Sequence, residues 1–104
     1  MAEWYKDLYV GENVKGKKRK MIRLVNRGCF VPDLYLITFA SNGRDQLDIL
    51  EERRFLLDAG IWEMPEIIGM AVGQREALEI VCRIAEESRR AGYGGNLSAY
   101  LRGR

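Results

Sequence analysis

Four carboxylates occur within eight residues in the middle of the chain, and carboxylate oxygens are the ligands that Mg²⁺ prefers. They are Asp45, Asp48, Glu51 and Glu52. If this segment is one helix, Asp45, Asp48 and Glu52 share a face and could hold the ion. If it is a strand followed by a helix, the four side chains scatter. Because acidic clusters usually face solvent, we expect no metal site and no cofactor here.

The chain contains no histidine, which excludes several classes of active site. There can be no Ser-His-Asp or Cys-His nucleophile pair, no HExxH zinc site and no haem ligation by histidine. The two cysteines, Cys29 and Cys82, have no CxxC spacing, and we expect both to be small buried hydrophobic side chains. These exclusions favour a binding protein, while an enzyme that uses the carboxylates and Mg²⁺ stays an alternative.

Positive charge is concentrated near the N-terminus. Residues 1–28 contain eight Lys/Arg and three Asp/Glu, whereas residues 29–75 contain four and eight. The pattern predicts an amphipathic helix from Gly11 to Arg27 that ends at Gly28, with an apolar face opposite a row of cations. We call this row the basic ridge; it consists of Lys15, Arg19, Arg23 and Arg27, with Lys20 beside it.

The basic ridge lacks acidic neighbours between residues 15 and 27. Like charges four residues apart on a helix each cost about 0.2–0.5 kcal/mol, so an anionic partner would stabilise this helix. The partner could be nucleic acid, an acidic protein surface or the chain's own acidic segment around Asp45 to Glu52. The alternative is an ordinary solvated basic face.

Residues 65–92 predict one strand followed by one helix. The apolar run Ile67–Val72, between Pro65 and Gly73, favours a buried strand. Residues 74–90 have the helical period, and Gly92 follows the last turn. We expect Val81 and Ile84 to be fully buried on this helix. Gly69 and Gly73 resemble a phosphate-binding turn, but no GxGxxG or GxxxxGK[ST] spacing is present, so close packing and a tight turn explain them better.

Residues 34–50 predict a β-hairpin. Strands at 34–40 and 46–50 flank Asn42-Gly43, the pair typical of a type I′ turn, which would place Thr38 opposite Leu47 and Leu36 opposite Ile49. The alternative is one helix over residues 44–58. Residues 48–51 have the form of a capping box, so we expect a helix over about 51–59, stopped by Gly60.

The two ends of the chain predict short helical elements. Trp4, Tyr5, Leu8 and Tyr9 have spacings that suit one or two helical turns over residues 2–10, and Asn96 is a suitable cap for a helix over 97–102. The expected fold is a single α+β domain over residues 1–104. Its small three-stranded sheet, the hairpin plus one strand after a helix, is covered by helices.

Several of these segments resemble a group of small uncharacterised bacterial proteins, chiefly from anaerobic Firmicutes. They are Tyr9-Val10, the lysine-rich helix, LYLITFASN followed by LDIL, and IIGMAVG with EALEIV. The resemblance spans residues 9 to about 100. Its motifs are a turn, a cap and a core helix, so it implies a fold and a bacterial source but no functional residue.

The sequence also leads to expectations about the compartment, the oligomeric state and the function of the protein. Neither a signal peptide nor a run of about 18 apolar residues occurs, so we expect a cytoplasmic protein that does not enter a membrane. A sheet with two edges and a helix that is apolar over half its girth predict a symmetric homodimer. The leading interpretation is a non-enzymatic protein-interaction module. The alternative is a nucleic-acid-associated accessory protein that uses the helix over residues 12–27.

Overall fold

A computed structural model of the chain describes residues 3–40, 46–54 and 65–104. Within these ranges four strands form one mixed sheet: β1 (Trp4–Val10), β2 (Leu34–Phe39), β3 (Leu47–Glu51) and β4 (Ile67–Val72). Their order is β1-β4-β2-β3, with β1 parallel to β4 and β2 antiparallel to both of its neighbours. Strands β3 and β4 therefore point the same way with β2 between them. The α+β class is confirmed, but the expected three-stranded sheet is wrong.

The fourth strand is β1, which the sequence pattern assigned to helical turns. The two periods coincide here, because side chains four residues apart share one face of a strand as they do of a helix. Tyr5 and Tyr9 both contact one face of the sheet, and Trp4 and Leu8 both contact the other. The pairing of β1 with β4 is irregular between Trp4 and Tyr9.

The hairpin strands β2 and β3 are confirmed, but their predicted register is wrong by one residue. Thr38 pairs with Asp48 and Ile37 pairs with Ile49. A shift of one residue moves a strand's side chains to the opposite face. In the observed register Leu47 and Ile49 lie on the same face as Ile37, where they contribute to a hydrophobic cluster. The Asn42-Gly43 turn lies outside the described residues.

The helix expected over residues 51–59 begins at residue 52, and residues 52–54 are helical. Asp48 does not cap it, because Asp48 is a residue of β3. Competition between two local signals explains the error: the capping-box pattern overlaps an alternating strand. A single helix over residues 44–58 is excluded by β3. The remainder of this segment and its predicted stop at Gly60 lie outside the described residues.

Three longer helices flank the sheet. The first is α1 (Lys18–Asn26), preceded by a 3₁₀ turn at Lys15–Lys17 where a continuous helix from Gly11 was expected. The second is α2 (Gln74–Arg90) and the third is α3 (Leu97–Gly103). Gly28 and Gly92 have φ of 73° and 88° just beyond α1 and α2, as the stop signals predicted. The predicted cap of α3 is confirmed, since Asn96 Oδ1 accepts a hydrogen bond from the Ala99 N–H.

The sheet separates two hydrophobic clusters, which makes three layers. Between α1 and the sheet lie Val14, Met21 and Val25 with Leu34, Leu36 and Met70. On the other face, side chains of α2 and α3 pack against Tyr5, Tyr9, Ile37 and Ile68.

Burial on α2 is narrower than its apolar arc suggested. Ile84 is fully buried, as predicted, but Val81 is only half-buried. Cys82 is exposed, and so is Cys29 beyond the end of α1. The prediction that both cysteines are buried is therefore wrong. On α2 the sheet covers one side of the helix, whereas the apolar arc spans about 200°.

Candidate nucleic-acid interface

The basic ridge lies on the outer face of α1 and its flanking turns. Arg19, Lys20 and Arg23 are residues of α1, Lys15 is in the preceding 3₁₀ turn, and Arg27 is the residue that ends the helix. All five side chains are exposed. The structure therefore brings every predicted ridge residue to one side of the molecule, although the 3₁₀ turn interrupts the regular four-residue spacing after Lys15.

The inner face of α1 fixes the direction of the ridge. Met21 and Val25 are buried against the sheet. At the end of the helix, the indole N–H of Trp4 donates a hydrogen bond of 3.0 Å to Asn26 Oδ1. These contacts hold α1 on the sheet, so the opposite face, with its cations, points to solvent.

Among the described residues, most ridge cations lack the acidic partners that three of the four α2 arginines have. On α2, Arg75 pairs with Glu79 at 3.6 Å, and Arg89 and Arg90 both pair with Glu86 at 2.7 and 3.1 Å. In the described part of the chain, the ridge has one ion pair, between Lys15 and Glu12 at 3.5 Å, with both side chains mostly exposed. Surface pairs of this kind contribute about 0–1 kcal/mol. The charge of the ridge is therefore largely uncompensated.

The start of α1 adds a further electrostatic cost. Its first turn contains Lys18, Arg19 and Lys20, contains no acidic residue, and has no side-chain cap. A helix N-terminus carries a partial positive charge, so cations there are unfavourable. Anions at this position would interact well with both the side chains and the backbone.

The chain's own acidic segment does not neutralise the ridge among the described residues. Glu52 is buried, and one carboxylate oxygen accepts a hydrogen bond from the Val31 N–H. Glu51 is exposed on β3, while Asp45 lies outside the described residues. No group of three or more acidic, cysteine or histidine side chains in the described ranges is arranged to hold a metal ion. The idea of a Mg²⁺ site formed by Asp45, Asp48 and Glu52 on one helix fails because Asp48 is a strand residue.

The glycine-flanked start of α2 is occupied by a carboxylate of the chain itself. Glu76 Oε1 accepts a hydrogen bond from the Val72 N–H at 3.0 Å, and its Oε2 accepts one from Asn13 Nδ2 at 2.8 Å. Gly11 packs so closely on this carboxylate that a β-carbon there would overlap it. A phosphate would have to displace Glu76, so this turn has a structural role.

A second polar cluster lies on the other side of the sheet, around Tyr9. The Tyr9 hydroxyl donates a hydrogen bond to Glu87 and accepts one from Arg104, while the Tyr100 hydroxyl also donates to Glu87. Burial, followed by the bond to the Glu87 carboxylate, raises the pKa of Tyr9 well above its usual value. A neutral phenol that is held in this way joins β1, α2 and α3, and it is a poor proton donor near neutral pH.

An exposed side of α2 forms a third surface feature. Leu78 is 50% exposed, Cys82 is exposed, and Val81 and Ala85 are half-buried. On the sheet beside them, Leu47 and Ile49 of β3 are also half-buried. We call this surface, formed by Leu78, Val81, Cys82 and Ala85, the α2 flank.

Comparison of the chain with protein-family models, with curated proteins and with solved structures finds no match in any of the three. Among the described residues, no helix combines the length and the apolar character that crossing a membrane requires.

Proposed function

We propose that this protein binds nucleic acid through the basic ridge, without catalysing a reaction. The observation that carries the proposal is the contrast between the two long helices. In the described part of the chain, three of the four α2 arginines pair with a glutamate, whereas only Lys15 of the ridge has an acidic partner. An external polyanion would supply the missing negative charge.

The composition of the ridge favours phosphate over a protein partner. Protein interfaces usually have an apolar centre and few lysines. The exposed face of α1 contains lysines and arginines, while its large apolar side chains are buried or half-buried against the sheet. Phosphate groups need only cations, and neutralising them releases counterions that drive binding.

Binding by the ridge should be largely independent of base sequence. Adenine edges are read chiefly by asparagine and glutamine placed in a groove. The one amide side chain on α1, Asn26, already accepts the Trp4 indole N–H. We infer that the ridge contacts the sugar-phosphate backbone and that it serves as an accessory binding surface.

The test compares two double variants with the same loss of charge. Arg19→Gln/Arg23→Gln removes two ridge cations, and Arg75→Gln/Arg90→Gln removes two exposed cations from α2. Fluorescence anisotropy with a labelled duplex should show a salt-dependent affinity for the parent protein. The ridge variant should reduce the slope of log K against log[salt] by about one to two units, and the α2 variant should leave it unchanged. If the parent shows no salt-dependent affinity, or if both variants behave alike, the proposal is wrong.

A second candidate function, homodimeric protein interaction, is favoured by the α2 flank. A leucine that is 50% exposed beside an exposed cysteine gives this helix an apolar surface that its own sheet does not cover. An antiparallel pair of α2 helices around a twofold axis near Cys82 would bury it in both copies. A dimer would also present two basic ridges, so the two candidates are compatible.

Sedimentation tests the dimer directly. The parent should have twice the 12.0 kDa chain mass, and Leu78→Glu should return it to the monomer mass. In a Cys29→Ser background, a short bismaleimide should link two copies through Cys82, whereas a Cys82→Ser variant that keeps Cys29 should not be linked. A parent that stays monomeric at millimolar concentration would remove this candidate.

A further inference from the structure

Phe30, in the loop after α1, is the most exposed large hydrophobic side chain among the described residues. It is 57% exposed, compared with 50% for Leu78 and 42% for Tyr93. In the described part of the chain, Phe30 neither stacks on another aromatic ring nor lies against a guanidinium group. Much of its ring is therefore open to a ligand.

The backbone on both sides of Phe30 is held in place. The N–H of Cys29 donates a hydrogen bond to the Leu24 carbonyl oxygen of α1 at 2.9 Å. The N–H of Val31 donates to the carboxylate of Glu52, which is fully buried. A buried carboxylate is costly, and the bond that this one accepts anchors the loop. Because Phe30 lies between two anchored residues, its backbone position is fixed before any ligand binds.

Phe30 follows the end of the basic ridge by three residues. Arg27, the last cation of the ridge, ends α1, and Gly28, with φ of 73°, turns the chain. Three residues reach at most about 11 Å. A nucleic-acid strand covers that distance with about three nucleotides, at about 3.4 Å each along its axis. One strand can therefore place phosphates on the basic ridge and a base on Phe30.

We propose that the basic ridge and Phe30 together bind single-stranded nucleic acid, with an unpaired base stacked on the Phe30 ring. Proteins hold single strands by combining a basic surface with aromatic rings, and any base is accepted because every base has a flat face. Inside a duplex the faces of each base are covered by the neighbouring base pairs, so the ring finds no base to stack on.

The position of Phe30 favours this ligand over a protein partner. A protein that covered the ring would also have to cover the cations at the adjoining end of the basic ridge, whose charge a polyanion matches. The proposal rests on the function proposed above, and it narrows the ligand to single strands of DNA or RNA.

The experiment measures the affinity of the parent and its variants for three labelled probes by fluorescence anisotropy. The probes are a deoxyuridine strand and a uridine strand of about ten nucleotides, and a mixed-sequence DNA duplex of the same length. At about 150 mM salt the parent should bind the single strands more tightly than the duplex, because salt weakens phosphate contacts more than stacking. Phe30→Ala should weaken the binding of the single strands by about tenfold and leave the duplex affinity unchanged.

Further variants test the ring itself. Phe30→Trp should keep or increase the affinity for single strands, whereas Phe30→Leu is apolar without a flat ring and should behave as Phe30→Ala does. Tyr93→Ala removes another exposed ring, between α2 and α3, and should leave all affinities unchanged. Thermal unfolding of each variant checks that it is folded, which we expect because the Phe30 side chain is mostly in solvent.

The outcomes separate stacking on Phe30 from binding by the basic ridge. Equal affinity of the parent and Phe30→Ala for single strands, with binding that still depends on Arg19 and Arg23, would overturn stacking and leave the ridge in place. Phe30→Leu binding as tightly as the parent, or an equal loss of duplex binding in Phe30→Ala, would also overturn it. A parent without salt-dependent affinity for any probe would reject both proposals.

The two single strands identify the source of the ligand, because they differ only in the 2′-hydroxyl group. Tighter binding of the uridine strand identifies RNA, and tighter binding of the deoxyuridine strand identifies DNA. Equal affinities mean that the site accepts both.

Discussion

Glu52 Oε1 accepts a hydrogen bond from the backbone N–H of Val31, although Glu52 is fully buried. Its second oxygen, Oε2, has no hydrogen-bond partner in the described part of the protein. Burial of the carboxyl group raises the pKa of Glu52, and the Val31 N–H opposes this by stabilising the charged form. A buried carboxylate with one bond is an unfavourable arrangement, which makes Glu52 sensitive to pH.

The first prediction concerns this pH dependence. Because the pKa of Glu52 is higher in the folded protein, the folded state holds the proton more tightly than the unfolded state does. The contribution of Glu52 to the free energy of unfolding is therefore greatest below the ordinary pKa of glutamate, and it is lost as pH rises through the raised value. Glu52→Gln should remove this loss, so its stability relative to the parent should increase between pH 4 and pH 7. Urea unfolding at both pH values measures the difference.

The exposed neighbour provides the control, since Glu51→Gln should show no such trend. If the stability of Glu52→Gln relative to the parent were the same at pH 4 and pH 7, the assignment would be contradicted.

The second prediction concerns the two sides of α2. Ile84 is fully buried, so Ile84→Ala should lower the free energy of unfolding by about 2–5 kcal/mol through lost burial and a cavity. Val81 is half-buried, and Val81→Ala should cost about 1 kcal/mol or less in the isolated subunit. Chemical denaturation of both variants gives the comparison. Equal costs would mean that the face of α2 towards the sheet is wrongly identified.

The third prediction concerns the close approach of β1 to β4. A β-carbon on Gly69 would lie 3.1 Å from the Tyr9 carbonyl oxygen and 3.3 Å from the Tyr9 β-carbon. Both are held by strand pairing, so Gly69→Ala should cost about 1–3 kcal/mol. Gly16 has open space around its position, and Gly16→Ala should be neutral or slightly stabilising. Thermal unfolding would reveal the contrast, and a neutral Gly69→Ala would argue against the parallel pairing.

The fourth prediction concerns the stability of the basic ridge. Arg19 and Arg23 are four residues apart on α1 and have no acidic partner among the described residues. Arg19→Gln/Arg23→Gln should therefore leave the free energy of unfolding unchanged or raise it by about 0.2–0.5 kcal/mol. Denaturation at low salt measures this, because salt screens the repulsion. A loss of more than about 1 kcal/mol would show that the ridge supports the fold, which would weaken the case for an external anion.

Local signals explain which parts of the fold the sequence could predict. The strand Ile67–Val72 and the helix Gln74–Arg90 lie between glycines and have unambiguous periods, and both are confirmed. Strand β1 was missed because Tyr5 and Tyr9 fit either period. Its partner in the sheet is distant in the chain, so no local pattern could reveal the pairing. The register of β2 and β3 depends on which face α2 covers, and that is a tertiary property.

The candidate site likewise depends partly on local sequence signals and partly on the folded structure. The basic ridge could be predicted because its cations are neighbours in sequence and share a helical spacing. That all of them but Lys15 lack an ion pair among the described residues is a property of the folded chain, and it required the positions of Glu51 and Glu52.

The contacts between β1 and α3 have a kinetic consequence. The Tyr5 hydroxyl donates a hydrogen bond to the Leu101 carbonyl oxygen across 96 positions of the chain, and Lys6 reaches Arg104 across 98. Contacts of such long range require large loops to close, and we expect them to form late in folding. Tyr5→Phe should therefore speed unfolding and leave the refolding rate nearly unchanged.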